Sequence, residues 1–158
     1  MSRRSLLNLV LSGLVLGLLL LVWRLQPQAL PPLTPLLPEQ IALIHLSATS
    51  GRDIQLEKRA GHWWLGHTRA DERRIEQLLG ICTTPSLQRF PLPSEGLAEF
   101  GLDNPAIRLR LNDLELAFGT TDPLNGWRYV RVGDQIHLIG DGFQHHLTAP
   151  AGAYRGEE

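Results

Sequence analysis

The sequence contains very little cysteine and none of the short motifs of the common catalytic classes. Its single cysteine, Cys82, has no second cysteine with which to form an internal disulfide. No glycine-rich phosphate loop is present, and the patterns H-E-x-x-H, C-x-x-C and G-x-S-x-G do not occur. These absences leave the P-loop, zinc-protease, thioredoxin-like and serine-hydrolase classes without support from the sequence, and we predict no cofactor and no metal.

The chain also lacks the excess of positive charge that nucleic-acid binding requires. It carries 15 Lys+Arg against 16 Asp+Glu, a formal net charge of −1. Three of the basic residues, Arg3, Arg4 and Arg24, flank one apolar run near the N-terminus, so the remainder of the chain is more acidic than the total suggests. Phosphate binding needs a clustered basic face, and we therefore predict no nucleic-acid partner.

The apolar run is residues 6–23, LLNLVLSGLVLGLLLLVW, and it contains no charge. A helix of that length spans ~27 Å at ~1.5 Å per residue, close to the ~30 Å hydrocarbon core of a bilayer. Positive charge is concentrated before the run, which predicts a cytoplasmic N-terminus. The alternative is a cleaved signal peptide, but its apolar region is usually ~7–15 residues long and ends at an A-x-A-like site. We predict an uncleaved single-pass anchor in contact with the lipid bilayer.

The stretch that follows the anchor is rich in proline. Residues 26–40, QPQALPPLTPLLPEQ, contain five prolines, which favours an extended polyproline II stalk. At ~3.1 Å per residue such a stalk would hold a domain roughly 35–45 Å from the bilayer. The alternative is that its leucines lie against the domain or the headgroups. The predicted organisation is a cytoplasmic tip and anchor (1–24), a stalk (25–40), a periplasmic domain (41–150) and a frayed tail (151–158).

Residues 41–81 show strand patterns followed by a helical one. A buried strand over 41–46 precedes a hairpin whose four-residue loop (58–61) pairs Leu56 with Trp63. That register places Trp63 in the core and Trp64 on the opposite face of the sheet. The segment ADERRIEQLLGI predicts a helix, because its apolar residues fall on one side and its charges on the other.

Residues 86–147 continue the strand pattern. A strand over 86–90 and a short helix over 94–102, with Ser94 as its N-cap, precede the clearest hairpin of the chain. A two-residue turn at Asn112-Asp113 sets apolar residues opposite apolar ones throughout AIRLRLNDLELAFG. A second hairpin, with a three-residue turn at GDQ, sets Val132 opposite Ile136, and a last short helix begins at Asp141.

These patterns predict an α+β fold. It consists of a single N-terminal transmembrane helix and a mostly antiparallel β-sheet domain with two or three short helices, because the short connections leave no room for parallel crossovers. A three-strand meander followed by a helix occurs twice, over 41–81 and 107–147, which indicates a duplicated β-meander/helix unit.

Three features suggest interactions. Trp64, exposed on the second face of the sheet, is typical of a protein interface. The loop TTDPLNGWRY offers Asp122, Asn125, Arg128 and Tyr129 as a ligand surface, although its Pro and Asn-Gly are also what a chain reversal requires. Gly13 and Gly17 form a G-x-x-x-G pattern that favours close approach of two anchors in a homodimer, and the same spacing also arises by chance in Leu/Gly-rich spans.

Several segments, in order along the chain, resemble the bacterial domain-of-unknown-function 4340 family. The matching elements are Trp63 within GHWWL, the helix containing Leu78-Leu79, FGLDNP (100–105), Gly119, DPLNGWRYV (122–130) and IHLI (136–139). The resemblance covers residues 41–147 and implies a membrane-anchored envelope protein in an extracytoplasmic setting. Longer family members accompany gliding-motility-type ABC transporter components. The family has no established catalytic residues, so the resemblance implies none here.

The resulting hypothesis is a non-enzymatic domain, tethered to the bacterial inner membrane and exposed to the periplasm, that contacts an envelope protein partner as an accessory component of an envelope or transport assembly. One rival is a small-molecule or glycan-binding module that uses the 120–129 loop, and another is an unrecognised hydrolase. A partner module predicts an exposed apolar patch that includes Trp64. A ligand module predicts a concave pocket lined by the loop, and an enzyme predicts titratable groups clustered in a cleft.

Overall fold

The computed structural model describes residues 3–25 and 29–156 and confirms the α+β class. One apolar N-terminal helix precedes an open nine-stranded antiparallel sheet and a few short helices. The α-helices are α1 (Arg3–Arg24), α2 (Glu72–Leu79) and α3 (Gln144–Leu147). The strands are β1 (Leu43–Ala48), β2 (Asp53–Arg59), β3 (His62–Leu65), β4 (Thr68–Arg69), β5 (Gln88–Pro91), β6 (Ile107–Leu111), β7 (Leu114–Thr121), β8 (Arg128–Val132) and β9 (Gln135–Ile139).

The order of strands in the sheet is β4-β3-β2-β1-β6-β7-β8-β9-β5. Two four-strand meanders, β1–β4 and β6–β9, therefore meet at the antiparallel pair of β1 and β6. Each meander is followed by a helix, α2 or α3, and the two helices contact each other over one face of the sheet. The predicted repeat is thus present with four strands per unit instead of three, and β5 crosses to pair with β9 at the far edge.

Helix α1 contains the one stretch of the described residues that is long and apolar enough to cross a membrane, Leu7–Arg24. None of this stretch is buried against the rest of the protein. The finding is consistent with a signal-anchor or transmembrane helix.

The hairpin of β6 and β7 has the predicted register, with Leu111 opposite Leu114 and Ile107 opposite Phe118. The register of β2 and β3 differs from the prediction, because Leu56 lies opposite Leu65 and Trp63 lies opposite Lys58. The turn is a two-residue one at Ala60-Gly61, where both residues take positive φ (50° and 82°). A shift of two residues keeps every side chain on its face, and Trp63 is accordingly buried as predicted.

The register of β8 and β9 was predicted wrongly by one residue. Val132 lies opposite Gln135, and Val130 lies opposite His137, because Gly133-Asp134 forms a two-residue turn. All four residues from Ile136 to Ile139 are buried, since both faces of the sheet are covered at β9. A strand buried on both faces has no polar–apolar alternation, so the sequence pattern could not identify the register.

The second half of the predicted stalk is part of the domain. Leu33 is 2% exposed, and its backbone N–H donates to the Thr84 carbonyl at 2.8 Å. Thr34 is also buried, and its N–H donates to the Cys82 carbonyl. The alternative in which a leucine lies against the domain is therefore confirmed for Leu33. Residues 26–28 of the predicted stalk lie outside the described residues.

Two smaller predictions, for the C-terminal tail and for the helix at 94–102, also need correction. The tail is packed and not frayed as far as Tyr154, which is fully buried and donates its hydroxyl to the His146 carbonyl at 2.7 Å. Residues 157–158 lie outside the described part of the chain. The predicted helix at 94–102 is a single 3₁₀ turn, Leu97–Phe100, which begins after Gly96, so Ser94 is not its N-cap. Gly101, in the left-handed region, ends the turn.

Candidate functional site

The loop between β7 and β8 is closed by its own polar groups. One carboxylate oxygen of Asp122, Oδ2, accepts from the Asn125 backbone N–H at 2.9 Å and from the Asn125 side-chain amide at 2.8 Å. The Asp122 backbone N–H donates to the Trp127 carbonyl, and its carbonyl accepts from the Gly126 N–H. Asp122 is only 9% exposed. Asp122 and Asn125 therefore form the loop itself and point toward each other.

Arg128 is engaged within the fold as well. Its guanidinium binds the Asp141 carboxylate through two nitrogens, with Nη2 donating to Oδ2 at 3.0 Å and Nε donating to Oδ1. The remaining nitrogen, Nη1, donates to the Gly119 carbonyl at 2.6 Å. The side chain is 16% exposed. Arg128 thus joins the start of β8 to the turn before α3 and to β7, and Asp141 is the partner that the sequence prediction did not assign to it.

Tyr129 belongs to a second apolar cluster on the face of the sheet opposite the helices. Its ring meets the Phe100 ring edge-on, with 5.0 Å between centroids, and Phe100 in turn contacts Phe90. The cluster consists of Leu102, Ala117, Ile136, Phe90, Leu92, Leu97, Phe100 and Tyr129. Segment 90–102 therefore covers the second face of β7, β8 and β9.

Gly119 permits this close approach, because a Cβ built on Gly119 would lie 2.0 Å from the Phe100 carbonyl oxygen. The FGLDNP motif, Gly119 and Tyr129 therefore share a packing role.

Trp64 lies on the part of the second face that segment 90–102 does not cover. We call this surface the open face: it is formed by β1–β3 and carries His45, Gln55, Glu57, Arg59, His62 and Trp64. Trp64 is half-buried between Glu57 on β2 and Arg69 on β4, and its indole N–H is buried with no hydrogen-bond partner among the described residues. Its neighbours are charged, so Trp64 sits in a polar surface.

The described residues do not form the exposed apolar patch that we expected around Trp64. Outside α1 and Leu25, the exposed large hydrophobic side chains within 29–156 are Leu30, Leu37 and Leu124. Leu124, at the tip of the β7–β8 loop, is 89% exposed and stands alone there. A partner on this domain would therefore meet a surface that is mainly polar.

Residues 120–129 line none of five well-formed surface pockets found among the described residues. One, of about 440 Å³, is lined by His62, Arg69, Asp71, Glu72 and Arg73. His62 Nδ1 lies 2.7 Å from Glu72 Oε1, and this hydrogen bond is the main cause that lowers the pKa of Glu72. Both side chains are more than 40% exposed, so solvent screens the pair.

A buried serine–histidine contact is the site that the sequence prediction missed. Ser86 Oγ lies 2.9 Å from His137 Nδ1, and both residues are more than nine-tenths buried. The Ser86 hydroxyl donates its single proton to the Gln88 carbonyl at 3.1 Å. In that arrangement the imidazole donates to Ser86 Oγ through Nδ1–H and does not accept a proton from the serine. Burial, followed by the nearby Arg89 charge, lowers the pKa of His137. The pair fixes β9 against the chain before β5.

Within residues 3–25 and 29–156, no three His, Cys, Asp or Glu side chains converge in a way that could hold a metal ion. Gly13 and Gly17 lie one turn apart on α1, and nothing in the described structure approaches within 4 Å of a Cβ built on either. The homodimer hypothesis at these two glycines stays a prediction.

The fold and its surface define a β-sheet domain that follows an apolar helix of membrane-spanning length. No protein-family model, curated protein or solved structure matches the chain. The resemblance to the 4340 family therefore stays a prediction, and the functional argument depends on the structure of this chain.

Proposed function

We propose that the protein is a single-pass inner-membrane protein whose domain faces the periplasm and binds an envelope protein partner without catalysing a reaction. The observation that carries the proposal is the contrast between α1 and the rest of the chain. Every large apolar side chain described along α1 is exposed, whereas residues 29–156 expose only three. A helix of this kind is stable in lipid and not in water.

The orientation follows from the charges that flank α1. Arg3 and Arg4 precede the apolar stretch, and Arg24 is the one basic residue close to its other end. The positive-inside rule favours a cytoplasmic N-terminus and therefore an external domain. The resemblance to an envelope family supports the same setting.

Both edges of the sheet are protected, which favours a partner that binds a face. At the β4 edge, the Gly156 N–H donates to the Arg69 carbonyl at 2.8 Å, and Ala70 pairs with Arg155. At the other edge, β5 is four residues long and ends in Pro91, which has no N–H to offer to an added strand. Strand addition is therefore disfavoured on either side.

The open face is the best remaining surface for a partner. Helices α2 and α3 cover one face of the sheet, and segment 90–102 covers the second face of β7–β9. The open face carries Trp64 and Arg59, and Trp and Arg are the residue types that most often dominate interface energies. Its other side chains are polar, which suits a partner that binds reversibly.

Site-specific photo-crosslinking in intact membranes tests this assignment. A crosslinking amino acid at Gln55 lies on the open face, and one at Gln77 lies on α2 on the other side, with both positions exposed. We expect a discrete crosslinked product from the Gln55 position and none from the Gln77 position. Equal products from the two positions, or none from Gln55, would overturn the assignment.

A substitution then tests the role of Trp64. Trp64→Ala should lower the crosslinking yield from position 55 about 30-fold, the loss expected for an interface residue that contributes ~2 kcal/mol. The unfolding free energy of the variant serves as the control. A large loss of stability with no specific loss of crosslinking would assign Trp64 to packing instead.

A further inference from the structure

We infer that the domain lies directly on the bilayer, with one identifiable end of its sheet against the lipid headgroups. The inference rests on the proposed membrane anchor and goes beyond it by naming the surface that meets lipid. It replaces the predicted separation of 35–45 Å, because the chain that joins helix to domain is too short to provide it.

The length of the connection sets the geometry. Leu25, directly after α1, is still held to the helix, since its N–H donates to the Leu21 carbonyl. The chain is next tied to the domain at Pro31, whose carbonyl accepts from the Ser86 N–H. Six Cα–Cα steps of ~3.8 Å allow at most ~23 Å between these points. A domain of this size is about 35 Å across. The tether is therefore too short to pass around the domain, and the end where it attaches must face the membrane.

The attached end can be read from what the segment 31–40 touches. Pro31–Pro35 share one groove with Asp134 and Gln135, at the β8–β9 turn. Further along, Leu36 borders Asn112 at the β6–β7 turn, and Pro38 borders Gly61 at the β2–β3 turn. The segment thus runs across the whole end of the sheet where three turns lie.

The β7–β8 loop lies at the opposite end of the sheet. Arg128, the first residue of β8, pairs with Ile139, whereas Val132, the last, pairs with Gln135 beside the β8–β9 turn. With the attached end on lipid, the β7–β8 loop and its exposed Leu124 point away from the bilayer.

The attached end has the apolar side chains that contact with a bilayer requires. Leu37, which is 53% exposed, lies in the segment that crosses this end, and Leu30, which is 50% exposed, directly precedes that segment. Charged residues of both signs line the pockets at this end, among them Lys58, Arg89, Asp113 and Asp134. We therefore expect contact with zwitterionic lipid and little dependence on anionic lipid, because no single sign dominates the surface.

Depth measurements on the full-length chain in phosphatidylcholine vesicles test the inference. Nitroxide labels are placed by Leu30→Cys, Leu37→Cys and Leu124→Cys, and the native Cys82 is fully buried, so the parent chain serves as the labelling blank. Collision rates with oxygen, which partitions into lipid, are compared with those of a water-soluble nickel chelate. We expect the oxygen-to-nickel ratio at positions 30 and 37 to exceed that at 124 several-fold, with or without added phosphatidylglycerol.

A fourth label separates this inference from the anchor on which it rests. Leu16→Cys lies on α1 and should report the bilayer interior. Suppose that the label at position 16 reports lipid while the oxygen-to-nickel ratios at positions 30 and 37 equal the ratio at 124. The contact of this end with the bilayer is then refuted, and the membrane anchor is retained. If position 16 is itself aqueous, the anchor fails. Spin–spin broadening between labels at position 37, with protection from both reagents, would show that a second copy covers this end and would overturn the lipid assignment.

Discussion

Gly119 is the position where one added methyl group should lower the stability of the domain most. A Cβ built there lies 2.0 Å from the Phe100 carbonyl oxygen and 3.1 Å from Leu102 Cδ2. An ordinary contact between carbon and a carbonyl oxygen is ~3.3 Å or longer, so Gly119→Ala requires a backbone displacement of about 1 Å. The displaced backbone is the 3₁₀ turn Leu97–Phe100, which carries the aromatic cover of the second face.

Two ways of relieving this collision lead to similar costs. Forcing an extra methyl group into a packed site typically lowers the unfolding free energy by ~1–3 kcal/mol. Because the methyl group here would collide with backbone, we expect a value near the upper end of that range. Lifting the 97–102 segment instead exposes Leu102, now 3% exposed, at ~2 kcal/mol, and part of the cover over Ile136 as well. We therefore expect Gly119→Ala to lower the unfolding free energy by about 3 kcal/mol, a large share of the ~5–15 kcal/mol typical of a domain.

The matched control is Gly140→Ala. Gly140 has a φ of −62° and a ψ of 143°, and nothing lies within 4 Å of a Cβ built on it. Alanine fits that conformation and restricts the unfolded chain, so a change between zero and ~1 kcal/mol of stabilisation is expected.

Urea unfolding of the full-length protein in detergent micelles, followed by tryptophan fluorescence, measures both variants, with buried Trp63 as the main reporter. A Gly119→Ala stability within ~0.5 kcal/mol of the Gly140→Ala stability would refute the close contact of β7 with the Phe100 turn.

Three further predictions concern the β6–β7 turn, the ion pair of Arg128 with Asp141, and the dependence of stability on pH. Asn112→Ala should cost ~2–3 kcal/mol in urea unfolding, because the Asn112 side chain makes three hydrogen bonds and its φ is 53°; Asn112→Gly should recover about 1 kcal/mol. Arg128→Ala should cost ~2–3 kcal/mol, since it leaves the Asp141 carboxylate without its partner, and Arg128→Lys should recover only part. Burial lowers the pKa of His137 and of His146, so the unfolded chain takes up protons first. Stability should then be constant between pH ~6.5 and ~8 and fall as the pH decreases below that window, and the urea midpoint of His137→Gln should depend less on pH.

The parts of the fold that the sequence predicted are those where local chemistry and side-chain alternation agree. The β6–β7 hairpin was predicted in register, because apolar residues alternate on both strands and Asn112 tolerates the positive φ that its turn needs. Helix α2 was predicted because Ile75, Leu78 and Leu79 fall on one side, and the structure shows in addition that Asp71 is its N-cap. Helix α1 follows from length and composition alone.

The parts that could not be predicted depend on contacts between distant segments. The position of β5 beside β9, and the cover of segment 90–102 over the second face, remove the alternation from β9 and so concealed its register. The sequence around Leu33 predicts an extended proline-rich stalk, yet Leu33 is buried because its segment pairs with residues 82–84. Asp122 and Arg128 are of the residue types that often bind ligands. Only the structure shows that Asp122 is hydrogen-bonded to Asn125 and that Arg128 is paired with Asp141.

The central claim, a domain held outside the cytoplasm by an uncleaved helix, is tested most directly by labelling in a bacterial host. Gln77→Cys places a thiol on the exposed side of α2, while native Cys82 stays buried as the blank. A membrane-impermeant maleimide should label the variant in spheroplasts and not in sealed inverted vesicles, and the labelled full-length chain should remain in the membrane after an alkaline carbonate wash. Labelling confined to inverted vesicles, or release of a shortened soluble chain, would contradict the account.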